Sequence, residues 1–114
     1  MSTDSYKIYL KQISQFPLMD DVEAAHLKGE IESRRTEIVN GNLRLVAKIA
    51  IEMAQAWTNV DVMDLIQEGN IALMRVVDHY DPNKGKFTTL LGFAVRAAIM
   101  TFIKNNTGIT DSRM

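Results

Sequence analysis

The chain has 114 residues, enough for one domain with one modest core. Its 46% hydrophobic and 24% charged content, with two prolines, excludes the profile of a disordered chain, and the lack of cysteine excludes disulfides, thiol nucleophiles and thiolate metal sites. A net charge of −1 excludes the overall basic excess with which a stand-alone nucleic-acid binder displaces counterions.

In chain order, nearly everything reads helical, because alternating β-branched runs bounded by tight turns are missing. A first helix over about 5–14 ends before Phe16-Pro17, since the residue preceding a proline is pushed out of the helical region. The stretch MDDVEAAHLKGEIESRR opens with Asp20 three residues ahead of Glu23, a start like a capping box with Asp in place of Ser or Thr. Over 36–57, Val39, Leu43, Val46, Ala50, Met53, Ala54 and Trp57 recur at helical spacing, which predicts one continuous core helix with Gly41 inside it at a cost of about 1 kcal/mol. Asp61 is a candidate N-cap for a helix over 62–79. That helix gives way at YDPNKGK, a loop by its Asp-Pro and Asn-Lys-Gly content, and a last helix over about 88–105 leads into a tail at 106–114 expected to fray. The expected fold is therefore all-α, a compact domain of about five helices.

The start of the chain lacks a basic segment followed by an apolar one, and no apolar run approaches the roughly 20 residues needed to span a bilayer. These features predict a soluble cytoplasmic protein with no membrane contact. Charge is unevenly distributed. Over 60–78 the acids Asp61, Asp64, Glu68 and Asp78 face only Arg75, whereas over 80–114 Lys84, Lys86, Arg96, Lys104 and Arg113 face Asp81 and Asp111.

Within DLIQEGNIALM, residues 64–74, a helical wheel sets Leu65, Ile66, Gly69 and Leu73 on a core side with Val62, Val76 and Val77. Opposite lie Asp64, Gln67, Glu68, Ile71, Arg75 and Asp78, with Met74 at the edge. Such a surface is either a solvated face with one exposed isoleucine or a docking surface whose carboxylates surround an apolar anchor.

NLRLVAKIA (42–50), DLIQEGNIALMRVVDHYDPNKGKFTT (64–89) and YLKQISQFPLMDDVEAAHLKGEIE (9–32) together resemble bacterial RNA polymerase sigma factors of the housekeeping type. The resemblance covers region 1.2 and most of region 2, residues 5–103, with 1–35 like region 1.2 and 36–105 like region 2. It implies that the helix of residues 64–74 docks on the clamp coiled coil of the largest polymerase subunit through Asp64, Gln67, Glu68, Asn70 and Met74, and Ile71 is the apolar anchor of the same face.

It also assigns promoter DNA to the segment KFTTLLGFAVRAAIM, where family members stack aromatic side chains on a base flipped from the melted −10 element. Phe87, Thr88, Thr89 and Arg96 match that pattern. The family's tyrosine is Leu90 here, its tryptophan pair is Phe93-Ala94, and its glutamine is Ala97. Phe93 is then either a single wedge between bases or, by its spacing with Leu90, Ala94, Ala98 and Phe102, a core residue. Lys84, Lys86, Arg96 and Lys104 either hold phosphates or are solvated, and Asn42 and Arg44 match positions near a second flipped-base pocket.

Two departures stand out: the segment 49–64 is about two residues longer than usual, and the regions 3 and 4 that follow in such factors, including the −35 reader, are expected to be missing, which leaves open whether this is a full protein or an excised domain. This short form suggests a phage or mobile-element origin. The expectation is a sigma-like initiation factor that binds core RNA polymerase and directs recognition of a −10-like element. Its alternatives are a sigma-mimicking regulator that binds polymerase without melting DNA, and a helical scaffold. No enzyme, cofactor or metal site is expected, because His26 and His79 stand apart and DPNKGKFTT lacks both the earlier glycine of a P-loop and the closing glutamate of a calcium loop.

Overall fold

The computed structural model describes residues 2–16, 31–57 and 59–107. Among them run five α-helices, α1 (Ser2–Ile13), α2 (Ile31–Asn40), α3 (Leu43–Ala54), α4 (Val62–His79) and α5 (Phe87–Thr107), with a 3-10 turn at Pro82–Lys84. No strand occurs among the described residues, and the fold is all-α as its periodicity predicts.

α1 closes where Pro17 requires it to, the Phe16 amide donating to the Ile13 carbonyl at 3.1 Å. The capping-box start at Asp20 lies outside the described residues. Residues 31–35 are helical in α2, which runs unbroken across the 35/36 division.

The single helix expected over 36–57 is two helices. They part at Gly41-Asn42, where Asn42 has φ −117° and ψ 3°. Glycine is the poorest helix former after proline, and asparagine competes for backbone hydrogen bonds. Asn42 does so here: its buried Nδ2 donates to the Ile38 carbonyl at 2.8 Å, satisfying a group freed by the end of α2.

α4 begins as its sequence predicts. The Asp61 carboxylate accepts from the Met63 amide at 2.9 Å, capping the helix N-terminus. α4 is also the central element, packing against every other helix described. Leu65, Ile66, Gly69, Ala72, Leu73 and Val77 of α4 are buried against Val46, Ala47, Ile49 and Ala50 of α3 and Leu91, Val95, Ile99 and Ile103 of α5. Gly69 permits that approach. A Cβ there would stand 2.6 Å from Val46 Cγ1 and 3.2 Å from Val95 Cγ1.

The turn into α5 is tightly specified. Asp81 accepts from the Asn83 amide at 2.9 Å, Pro82 sits where a helix start tolerates it, and Gly85 adopts φ 138°, a conformation side chains disfavour. Tyr80 donates its hydroxyl to the Gly85 carbonyl at 3.2 Å and packs edge-to-face on Phe87 at 5.2 Å.

α5 corrects one expectation. Phe87–Asn106 is long and apolar enough to cross a membrane by length and composition, but its apolar residues also form the buried α5 side of the core.

An ion pair ties α2 to α4. The Arg35 guanidinium donates to both Asp78 carboxylate oxygens, at 2.6 and 3.2 Å. This hydrogen bonding holds the Asp78 carboxyl below its ordinary range and Arg35 above its own. Both groups are well exposed, so the pair orients α2 more than it stabilises it.

Two outcomes follow. Gly69→Ala gains helix propensity of about 1 kcal/mol but overpacks three helices at a cost of ~1–3 kcal/mol, so urea unfolding should show net destabilisation. Asp78→Asn should lose stability near neutral pH, and the gap from the native chain should close as pH falls through the depressed Asp78 pKa, where the native carboxyl also becomes neutral. Acid titration of the two melting temperatures, repeated at high salt to shrink the gap, checks this.

Candidate functional site

The helix wheel of α4 has its physical counterpart. Asp64, Gln67, Ile71, Arg75 and Asp78 are exposed on the side away from the core, and Ile71 retains 41% of its accessible surface. Of the six docking residues, Asp64, Gln67 and Ile71 share this open face, while Glu68 and Met74 flank it half-buried. Asn70 departs from the expectation. It is turned toward α1, where its Nδ2 donates to the Tyr9 hydroxyl at 3.0 Å and its Oδ1 is buried without a partner among the described residues.

On α5, Thr89, Phe93, Arg96 and Lys104 are exposed and fall on one side of the helix, and Thr88 is half-buried. Phe93 keeps 69% of its surface exposed, so its packing with Leu90, Ala94, Ala98 and Phe102 in the core is corrected. The reason is rotational. Phe87 is 2% exposed and locked in the core, and six residues further on the helix has turned about 240°. The same burial corrects the assignment of Phe87 to DNA contact.

Asn42 is corrected likewise, being 2% exposed with its amide engaged by Ile38. Arg44 is exposed but lies elsewhere, lining a cleft between α1 and α3 with Lys48, Leu10 and Ser14. Lys84 and Lys86 are exposed on the turn that precedes α5. The structure thus brings Lys84, Lys86, Thr89, Phe93, Arg96 and Lys104 to the α5 side and leaves Asn42, Arg44 and Phe87 out of it.

Between the two faces runs a groove that sequence reasoning missed. It encloses about 1000 Å³ between Ala72, Val76 and Tyr80 on one side and Leu90, Ala94, Ala97, Ala98 and Phe102 on the other. Its signal in the sequence was the small residues of α5 at spacings of three and four, which place alanines side by side. Glu68 and Arg75 border both this groove and the open α4 face. His79 is exposed with Nδ1 2.9 Å from the Arg75 carbonyl, and no group of three or more metal-ligating side chains occurs among the described residues.

Fold and faces together give an all-α domain with an acidic and apolar surface on one helix and a basic surface with an exposed aromatic on the next. Residues 38–108 match the family described as Sigma-70 region 2. The chain is 39% identical over 102 residues to RNA polymerase sigma factor SigA of a Bacillus species, covering 84% of this chain and 26% of that protein. It is 36% identical over 113 residues to RNA polymerase sigma-C factor of Myxococcus xanthus, covering 92% and 37% respectively. With SigA of Lactococcus lactis subsp. cremoris the identity is 36% over 104 residues, covering 84% and 28%. The chain belongs to the sigma-70 region 2 family, and it spans about a quarter to a little over a third of the length of these relatives.

The two phenylalanines separate by stability. Phe93→Ala should change unfolding free energy by less than about 0.5 kcal/mol, as exposed substitutions do, whereas Phe87→Ala should cost ~3–5 kcal/mol. Denaturant titration of both variants measures the difference.

Proposed function

We propose that this chain is a transcription initiation module that docks on core RNA polymerase through the open face of α4 and engages −10-like promoter DNA through α5. The observation that carries the docking half is Ile71, an exposed apolar side chain bordered by Asp64 and Gln67 on the helix spelled DLIQEGNIALM. Carboxylate and amide groups around a small apolar anchor suit the basic surface of the polymerase clamp coiled coil, and Glu68 and Met74 extend that surface at its edges.

The DNA half rests on Thr89, Phe93, Arg96 and Lys104, with Lys84 and Lys86 on the preceding turn. Cations hold phosphates and fix register, and Phe93 offers a π face to an unstacked base. Phosphodiester chemistry belongs to the polymerase, so the chain itself is not an enzyme and works in the bacterial cytoplasm beside its partner.

A second reading has its own observation. Phe93 is the one large aromatic exposed on α5 among the described residues. With so little aromatic surface for replacing lost base stacking, the chain would act as a regulator that occupies the clamp without melting DNA.

Binding of the purified chain to bacterial core polymerase tests the docking face. Ile71→Glu should weaken it about 10- to 100-fold, the worth of one buried aliphatic side chain, and Glu68→Lys by ~2–5 kcal/mol as a paired carboxylate is reversed. Both positions lie off the core stripe, so melting temperatures should not move. Undiminished binding, or a parallel loss of stability, would remove the assignment. Run-off transcription from a pre-opened −10 bubble then separates the readings: specific transcripts mark an initiation factor, and binding without transcripts marks a regulator.

A further inference from the structure

Three large hydrophobic side chains are exposed among the described residues: Ile8, Ile71 and Phe93. Two of them stand beside one seam. The Asn70 Nδ2 that donates to the Tyr9 hydroxyl at 3.0 Å joins α4 to α1, and Ile71 follows Asn70 in the chain as Ile8 precedes Tyr9.

Helical turning fixes where each isoleucine lies. On α1, Ile13 is buried and Tyr6 and Leu10 pack against the core, whereas Ile8 is turned roughly 140–160° from all three. It keeps 60% of its surface exposed. Ile71 stands opposite the buried side of α4 in the same way, so both side chains project away from the shared core, from adjacent helices. One exposed isoleucine is ordinary on a folded domain, but two flanking a single helix seam make an apolar pair with a place for a partner.

The charges around this pair are sorted. Asp64 borders Ile71, with Glu68 at the edge of that face, while on α1 Lys11 is exposed one turn from Ile8 and Lys7 is exposed next to it. A partner that fits presents apolar surface to both isoleucines, cations toward α4 and carboxylates toward α1. Asn70 belongs to the seam. Its Nδ2 is committed to Tyr9 and its Oδ1 is buried, so the amide ties α1 to the docking helix instead of reaching outward.

We propose that Ile8, with Lys11 beside it, is a second anchor for core RNA polymerase, and that the docking surface runs from α4 across the Tyr9–Asn70 seam onto α1. This rests on the polymerase docking proposed for α4 and extends it to a helix outside that reading. The polymerase surface that takes Ile71 also takes Ile8, and a carboxylate on it meets Lys11.

The test titrates the full chain against bacterial core polymerase in the absence of DNA. Ile8→Glu should weaken binding about 10-fold, the worth of an aliphatic side chain partly buried on docking, and Lys11→Glu about 3- to 10-fold. Both positions are exposed, so melting temperatures should match that of the native chain. Lys48→Glu makes the same change of charge on α3, where the side chain lines the α1–α3 cleft, and should leave polymerase affinity unchanged.

Native affinity in Ile8→Glu beside a loss in Ile71→Glu would overturn the second anchor and leave the α4 reading standing. Native affinity in both variants, or no binding by the native chain, would overturn both. An equal loss in Lys48→Glu would make the Lys11 effect one of net charge and overturn the sorted surface. Dimerisation of the free chain that Ile8→Glu abolishes, with polymerase affinity intact, would give the pair to a second copy instead.

Discussion

Close packing at Gly69 is the constraint from which the arrangement of this domain follows. With no side chain there, α4 lies against Val46 of α3 and Val95 of α5 together, at separations a methyl group would violate. Interiors packed to crystalline density leave little room to absorb such a change. Because α4 is held from these sides, its opposite face, with Asp64, Gln67 and Ile71, has only solvent or a partner to meet. The same approach brings the later turns of α4 alongside α5 and defines the walls of the groove.

The connection after α4 sets the rotation of α5. Asp81, Pro82 and the positive φ of Gly85 reverse the chain, and the Tyr80 hydroxyl and the Tyr80–Phe87 ring contact bind that reversal to the core. With Phe87 pinned inside, helical geometry alone directs Phe93 outward with Arg96 nearby. Two adjacent surfaces of different chemistry result, one acidic and apolar and one basic and aromatic. A net charge of −1 conceals this separation, since interactions between exposed charges fade within about 8–10 Å at ordinary salt and local groupings decide what each surface attracts.

Local signals were legible wherever short-range physics governs. The Asp61 cap, the turn at YDPNKGK, the helix end before Pro17 and the polar face of α4 depend on residues within a few positions of one another, and all are in the structure as read. The break at Gly41-Asn42 was written in the same terms, but the apolar stripe that continues across it on both sides masked the weakness. Periodicity also misled at Phe93. Its spacing to neighbouring apolar residues is that of a core stripe, yet the α5 core side runs through Leu91, Val95, Ile99 and Ile103.

By itself, then, the sequence determined the all-α class, most helix limits and which face of α4 is polar, because capping, turn chemistry and 3.6-residue periodicity act over a few residues, while the family was legible only as a resemblance of whole motifs such as DLIQEGNIALM. Only the tertiary structure decided that Asn70 turns to Tyr9, that Phe87 and Asn42 are interior while Phe93 is outside, and that an alanine-lined groove separates the two faces. Each of these depends on which helix lies alongside which and at what rotation, a matter settled by long-range packing around Gly69 and Phe87.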